Sequence, residues 1–212
     1  MELKDKLKKL VNAYGVSGQE FEVSAIAAEL LSPLVDKVEV DGFGNVTGYR
    51  SCGIPGAKKL MVDAHIDQIG FLVTQVTDEG FLRFIGMGVD QRMLLGSELT
   101  VMTRGGEKLL GIVAAMPPHM QSPGDREKSV PISEMVVDIG MTGEQAKEKV
   151  HVGDYMAFAN NAIDLQNDVV CGKSMDDRAA VAVAVEALKA VKKTPNEIYF
   201  VFSVQEEVGL RG

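Results

Sequence analysis

The chain has no tryptophan, three histidines and two cysteines in 212 residues, and each scarcity closes off a class of reading. Cys52 and Cys171 lie far apart with no CxxC or short ligand spacing, which argues against a disulfide scaffold or a thiolate zinc ribbon. They read as free thiols in a reducing compartment, so the expected location is the cytoplasm. Basic residues are in the minority: 22 Lys and Arg against 30 Asp and Glu give a formal charge of -8 and a pI near 5.0. Without a basic cluster nothing is available to neutralise a phosphate backbone, so no nucleic-acid partner is expected. Apolar runs are too short to span a bilayer. The amphipathic start, with Leu3, Leu7, Leu10 and Val11 on one helical face, lacks the apolar centre of a signal peptide, so no membrane partner is expected either.

What is present is a globular composition, 46% apolar and 25% charged, enough to bury a core for one domain or two modest ones. After the first helix, Ser17 to Glu20 (SGQE) has the spacing of a capping box opening a second helix through FEVSAIAAELL, which must end before Pro33. VEVDGFGNVTGYR alternates around a glycine-rich turn as a hairpin does, and KKLMVDAHIDQIGF comes next as a strand. From about Phe71 to Asn160 the pattern changes to short strands (FLVTQV, FLRFI, ELTVMTR, KLLGIVAAM, MVVDIG, DYMAFA) separated by turns such as TDEG, RGGE and QSPGDRE. A short helix over Thr142 to Lys149 interrupts them. Close strand spacing predicts a small barrel or sandwich inserted into an α/β unit. The helical pattern then resumes at DDRAAVAVAVEALKAVKK, with Asp176 and Asp177 in its first turn, and EIYFVFSVQ succeeds it as a continuous apolar strand of the kind buried in a parallel sheet. The expected division is therefore residues 1–70 with 161–212, and an insert at 71–160.

Three clusters fall at element ends: His65 with Asp67, Asp176 with Asp177, and Glu206 with Glu207. Ligands of open α/β sheets collect beyond the carboxyl ends of the strands, so clusters distant in sequence can meet there, and a metal would explain their convergence. Each also has a plain structural reading. At spacing two on a strand His65 and Asp67 share a face, as a buried ion pair or as a ligand with the carboxylate that orients it, and Asp63 has the same parity. Acidic residues in a helix's first turn are favourable by themselves, and Arg178 beside them makes a surface ion pair. Adjacent carboxylates at Glu206 and Glu207 repel unless solvent or a cation relieves them. His119 reads as a loop or interface residue, His151 as exposed at a strand start, and the eleven methionines as core filler.

Taken in order, YGVSGQE, DGFGNV, AHIDQIGF, the Pro117–His119 PPH, VVDIGMTGEQAKEKVHVGD, GKSMDDRAA and VQEEVGLRG resemble the glutamyl and deblocking aminopeptidases, dinuclear metallopeptidases that assemble as tetrahedral particles. The resemblance covers nearly the whole chain. It implies a phosphorylase/hydrolase-like α/β catalytic domain with an inserted β-barrel dimerisation domain. It implies that His65 ligates one metal, Asp176 bridges both, Glu207 ligates the other, and Glu206 is the general base. Asp67 would orient His65, and the Asp176–Asp177 peptide would be cis. Two divalent ions (Zn, Co or Mn) about 3.5–4 Å apart would activate a water against a peptide with a free N-terminus. A homo-oligomer, from dimer to dodecamer, is implied as well.

Members of that family are longer and carry a further Asp soon after the EEVGxRG strand and a final His near the C-terminus. Neither is found here, so the metal set is expected to be partial, the α/β domain incomplete, and this chain alone inactive. Two rival readings stand beside it. One is a non-catalytic oligomerisation fragment. The other is a glycoside hydrolase, since relatives have carried cellulase labels; against it stand the adjacency of Glu206 and Glu207 and the lack of a tryptophan platform for sugars.

Overall fold

The structure, a computed structural model, describes residues 2–120, 124 and 128–212. The chain divides into two compact units: residues 1–68 with 160–212, and residues 69–159. The expected turn at 121–127 lies, except for Gly124, outside the described residues.

The first unit is an α/β sandwich of helices on a mixed sheet. Helix α1 (Leu3–Asn12) buries Leu10 and Val11. Leu3 at its first position is exposed, and Lys6 is buried, paired with Glu186. Helix α2 (Phe21–Leu31) ends before a short turn that carries Pro33, which cannot donate to a helical ladder. Strands β1 (Lys37–Val40) and β2 (Val46–Arg50) form the expected hairpin. Its turn is tied by the Asp41 carboxylate, which accepts the N–H groups of Phe43, Gly44 and Asn45.

Strand β3 (Lys59–His65) leads out of this unit into the second. That unit holds β4 (Gly70–Val76), β5 (Leu82–Met87), β6 (Glu98–Met102), β7 (Lys108–Ala114), β8 (Val136–Asp138), helix α3 (Gly143–Lys149) and β9 (Tyr155–Phe158). The six strands close into a barrel in the order β4-β5-β8-β7-β6-β9, with β5 and β8 joined at the single pair Leu82 and Val137. Its core is apolar, with Phe71 packed edge-on against Phe84 and Phe158 at ring distances of 5.5 and 5.4 Å. Thr142 caps α3 in a full capping box with Gln145.

Back in the first unit, a small ladder of β10 (Ile163–Asp164) and β11 (Val170–Cys171) precedes α4 (Met175–Ala190) and β12 (Glu197–Ser203). The sheet order is β1-β2-β12-β3. Strand β12 is central, as its apolar run predicts, but its neighbours differ: β3 is parallel to it and β2 antiparallel. Ile198, Phe200 and Phe202 on β12 meet Val23, Ala27, Leu30 and Leu31 of α2 and Val181, Val185 and Leu188 of α4 in one core.

Candidate metal centre

The parallel pairing of β12 with β3 sets Ser203 beside His65, the last residue of each strand. The segments just beyond the two strands, with Asp67 on one side and Glu206–Glu207 on the other, therefore leave the sheet at the same edge. This is the carboxyl-end crevice where open α/β sheets place ligands.

Asp67 lies two residues past the end of β3, so it and His65 do not share a strand as the sequence suggested. The two still meet: His65 Nδ1 stands 3.3 Å from Asp67 Oδ1, close enough for a charge contact but off the hydrogen-bonding direction. Asp67 is fully buried and its acceptor directions are well used. Ser17 Oγ donates to Oδ2 at 2.6 Å, the Glu206 N–H donates to Oδ1 at 3.0 Å, and the Glu207 N–H donates to Oδ2 at 3.2 Å. Burial pushes its pKa up, but the His65 ring beside it and the donors Ser17 and these two amides outweigh that and leave it below the usual carboxylate value.

The other face of the ring, Nε2, looks at Asp176 Oδ1 at 3.2 Å and at Glu206 Oε2 at 3.8 Å. One nitrogen of His65 and one oxygen each of Glu206 and Glu207 all lie within 4.8 Å of one another. Asp176 and Asp177, joined by a cis peptide, carry non-helical backbone angles, so they precede the regular part of α4 rather than forming its first turn. Burial lowers the pKa of His65, but Asp67, then Asp176 and Glu206, override it and raise the pKa to about 9. Burial first, and then neighbouring carboxylates, push Asp177 and Glu207 upward.

These observations test whether a divalent metal fits. A single imidazole backed by a buried carboxylate, with its Nε2 facing the oxygens of Asp176 and Glu206, is the ligand arrangement that borderline metals take. The surplus of carboxylates in one place is costly without a cation, and a divalent ion beside Nε2 would relieve it. The donor set therefore fits.

Sequence reasoning missed four buried polar residues that hold this edge. Ser17 and Glu20 do not form the expected capping box: α2 has no side-chain cap, because Ser17 is committed to Asp67 and Glu20 accepts the N–H groups of Gly18 at 2.7 Å and Gln205 at 3.1 Å. Burial raises the Glu20 pKa, against the pull of these donors. Arg178 is not a surface ion pair. It is fully buried, and it donates to the carbonyls of Ile66 at 2.8 Å, Leu10 at 2.9 Å, Ala13 at 2.7 Å and Gly15 at 3.3 Å. Burial lowers its pKa to about 10, offset in part by Asp67, Glu22 and Glu20. Gln68 receives Lys173 at 3.0 Å and Ser174 through its side-chain oxygen. Among the remaining histidines, His119 is exposed in a short turn, and His151 is half-buried beside the Asp154 turn rather than exposed.

The M42 glutamyl aminopeptidase family profile matches residues 44–212. The chain belongs to that family. The family is metal-dependent. Among solved structures, the TET aminopeptidase of a marine-sediment Thaumarchaeota archaeon is 39% identical with a TM-score of 0.92, covering 99% of this chain and 61% of that one. The Pyrococcus horikoshii TET1 peptidase, which assembles into a tetrahedron or a large octahedral shell, is 34% identical with a TM-score of 0.85, covering 100% and 63%. A Thermotoga maritima protein named an endoglucanase is 31% identical with a TM-score of 0.79, covering 94% and 58%. The chain spans about three-fifths of the length of the curated relatives it matches.

Proposed function

We propose that this sequence carries the His65 side of a dinuclear metalloaminopeptidase site that removes N-terminal residues from peptides with a free amine. The observation that carries the reading is the meeting of His65, Glu206 and Glu207 within 4.8 Å, with Asp176 Oδ1 3.2 Å from His65 Nε2. His65, Asp176 and Glu207 would hold the divalent ions, Zn, Co or Mn. When bound, such ions lower the pKa of a water and polarise the scissile carbonyl. Asp67 holds the imbalance of charge behind His65 and keeps Nε2 facing the carboxylates. Glu206 takes the proton of the attacking water and returns it to the departing amine, which needs a carboxylate within hydrogen-bond reach of both.

The remaining Asp and His ligands implied by the family resemblance are not among these residues, so activity is expected of a polypeptide that also supplies them. The barrel unit would serve as the dimerisation domain of a homo-oligomer, from dimer to dodecamer. It exposes Ile85, Met93, Leu110 and Ile112, and the TET1 relative assembles into closed particles. The glycoside hydrolase reading fits less well: the facing oxygens of Glu206 and Glu207 lie within 4.8 Å, closer than the roughly 5–9.5 Å that two glycosidase carboxyls keep. A cytoplasmic location agrees with the free Cys52 and Cys171. Among the described residues, no helix is long and apolar enough to cross a membrane.

The test is release of N-terminal residues from unblocked peptides by a polypeptide that carries these residues together with the remaining Asp and His ligands, after loading with each metal. Chelator is expected to abolish the rate, N-acetylated peptides to resist, and Glu206→Gln to lower kcat by about 10²–10⁴. A Glu206→Gln variant with an undiminished rate would overturn the assignment.

A further inference from the structure

Three consecutive backbone N–H groups after β12 all donate to buried carboxylates. Gln205 donates to Glu20 Oε1 at 3.1 Å, Glu206 to Asp67 Oδ1 at 3.0 Å, and Glu207 to Asp67 Oδ2 at 3.2 Å. Gln205 is left-handed, with φ 54°, a conformation that non-glycine residues take uncommonly and that needs support from its surroundings. Asp67 grips two of the three peptides and was legible as a site residue. Glu20 grips the third from 185 residues away in sequence.

Glu20 stands where a helix-capping residue would, directly before α2, and yet α2 receives no side-chain cap. Its carboxylate is spent elsewhere: the same Oε1 accepts Gly18 N–H at 2.7 Å and so ties the loop before α2 to the turn that carries Glu206 and Glu207. Burying a carboxylate costs stability unless donors compensate it, and only 5% of Glu20 is exposed. A cap would have satisfied local needs from a solvated position. The cost is instead incurred at the first of the three peptides that hold the turn carrying the two glutamates.

We propose that Glu20 is a positioning residue of the metal centre: it fixes the Gln205 peptide, and through it the direction in which the Glu206 and Glu207 side chains leave the turn. This rests on the metal-centre reading above. Glu20 acts through the backbone and has no contact with the His65 ring or the Asp176 carboxylate among its hydrogen-bond partners.

The test uses the 212-residue chain, with Glu20→Ala and Glu20→Gln, in two measurements: backbone amide exchange by NMR and Co²⁺ titration. Glu20→Ala is expected to speed exchange at Gln205, Glu206 and Glu207 about tenfold while Phe200 and Phe202 in β12 keep their protection, and to weaken Co²⁺ binding about tenfold. Glu20→Gln, which keeps an acceptor oxygen in place, is expected to restore most of both. Faster exchange spread evenly over the α/β unit would mark a merely structural role and overturn the proposal, as would unchanged exchange at Gln205 or unchanged Co²⁺ affinity in Glu20→Ala. Wild-type protein that takes up no Co²⁺ would overturn the reading that these residues hold a metal without the remaining ligands, and the exchange pattern would then decide by itself whether Glu20 holds the turn.

Discussion

The two units bury polar groups to different ends. In the barrel, the buried polar side chains among the described residues are Thr100, Thr103 and Asp154, and the last two tie turns: Thr103 accepts Glu107 N–H within one turn, and Asp154 accepts His151 N–H in its own turn and Arg104 N–H from the turn after β6. In the α/β unit, Ser17, Glu20, His65, Asp67, Gln68 and Arg178 are all buried and bonded to segments far away in sequence around the ends of β3 and β12. An apolar barrel core of the right volume tolerates many sequences. A buried charged network does not, because each member left without its partner is penalised by the full desolvation of the other. Stability in the α/β unit has thus been traded for a fixed arrangement of charge, which is where a functional site is expected to break the rules of plain packing.

The sharpest way to break this contrast is Arg178→Met. The substitution keeps the volume and removes every donor, leaving the Ile66 carbonyl without its Arg178 donor, reducing the carbonyls of Leu10, Ala13 and Gly15 to the donors they have from Ala13 N–H, Lys173 and Gln68 N–H, and taking a buried positive charge from beside Asp67 and Glu20. A loss of about 3–5 kcal/mol is expected, concentrated in the α/β unit. Chemical denaturation followed by amide signals of each unit measures it. A loss under about 1 kcal/mol would mean that the network is decoration on an apolar core.

Two glycines sharpen the comparison at a smaller scale. A Cβ at Gly15 would stand 2.6 Å from Val23 Cγ1 and 2.8 Å from Arg178 Nη2. One at Gly111 in the barrel would stand 2.5 Å from Val137 Cγ1 and 3.2 Å from the Asp138 carbonyl oxygen. Both alanine variants overpack and are expected to cost about 1–3 kcal/mol. Only Gly15→Ala, which displaces Arg178, is expected to weaken Co²⁺ uptake as well. Equal metal affinity in the two variants would show that the α/β network is not coupled to the metal centre.

Much of the architecture was legible because it derives from local periodicity: the hairpin at β1 and β2, the helix at α3, the short strands that close into a barrel, and the apolar run of β12. The candidate site was legible in outline for a related reason. Parallel strands put their carboxyl ends on one edge, so His65, Asp67, Asp176, Glu206 and Glu207 could be expected near each other, and the structure brings them together. The illegible part depends on partners at long range. The DDR run looks like a solvated helix start, and nothing local reveals that Arg178 turns inward to collect carbonyls from α1 and the loop after it. Likewise the stripe Leu3, Leu7, Leu10, Val11 satisfies a helical period, while Lys6 is buried because Glu186 waits for it on α4.

The smallest predicted effects separate two copies of one local pattern. TGEQ at Thr142 and SGQE at Ser17 both have the capping-box spacing. Thr142 makes the box: its hydroxyl accepts Gln145 N–H at 3.4 Å and Gln145 Oε1 accepts Thr142 N–H at 3.1 Å. Ser17 does not, because its hydroxyl donates to Asp67 at 2.6 Å. Ser17→Ala is expected to cost about 1–2 kcal/mol, the worth of a hydrogen bond to a buried carboxylate that keeps its other donors. Thr142→Ala is expected to cost about 1 kcal/mol, the usual worth of a cap. Denaturation alone would hardly tell them apart. Co²⁺ affinity does: Ser17→Ala frees one side of the carboxylate that steadies His65 and both glutamate peptides, and is expected to weaken binding several-fold, whereas Thr142→Ala leaves it unchanged. If the two variants behaved alike in both measurements, the serine would be only another helix-start residue, and the contrast between a barrel that uses polar groups for turns and an α/β unit that uses them for a site would lose its clearest local case.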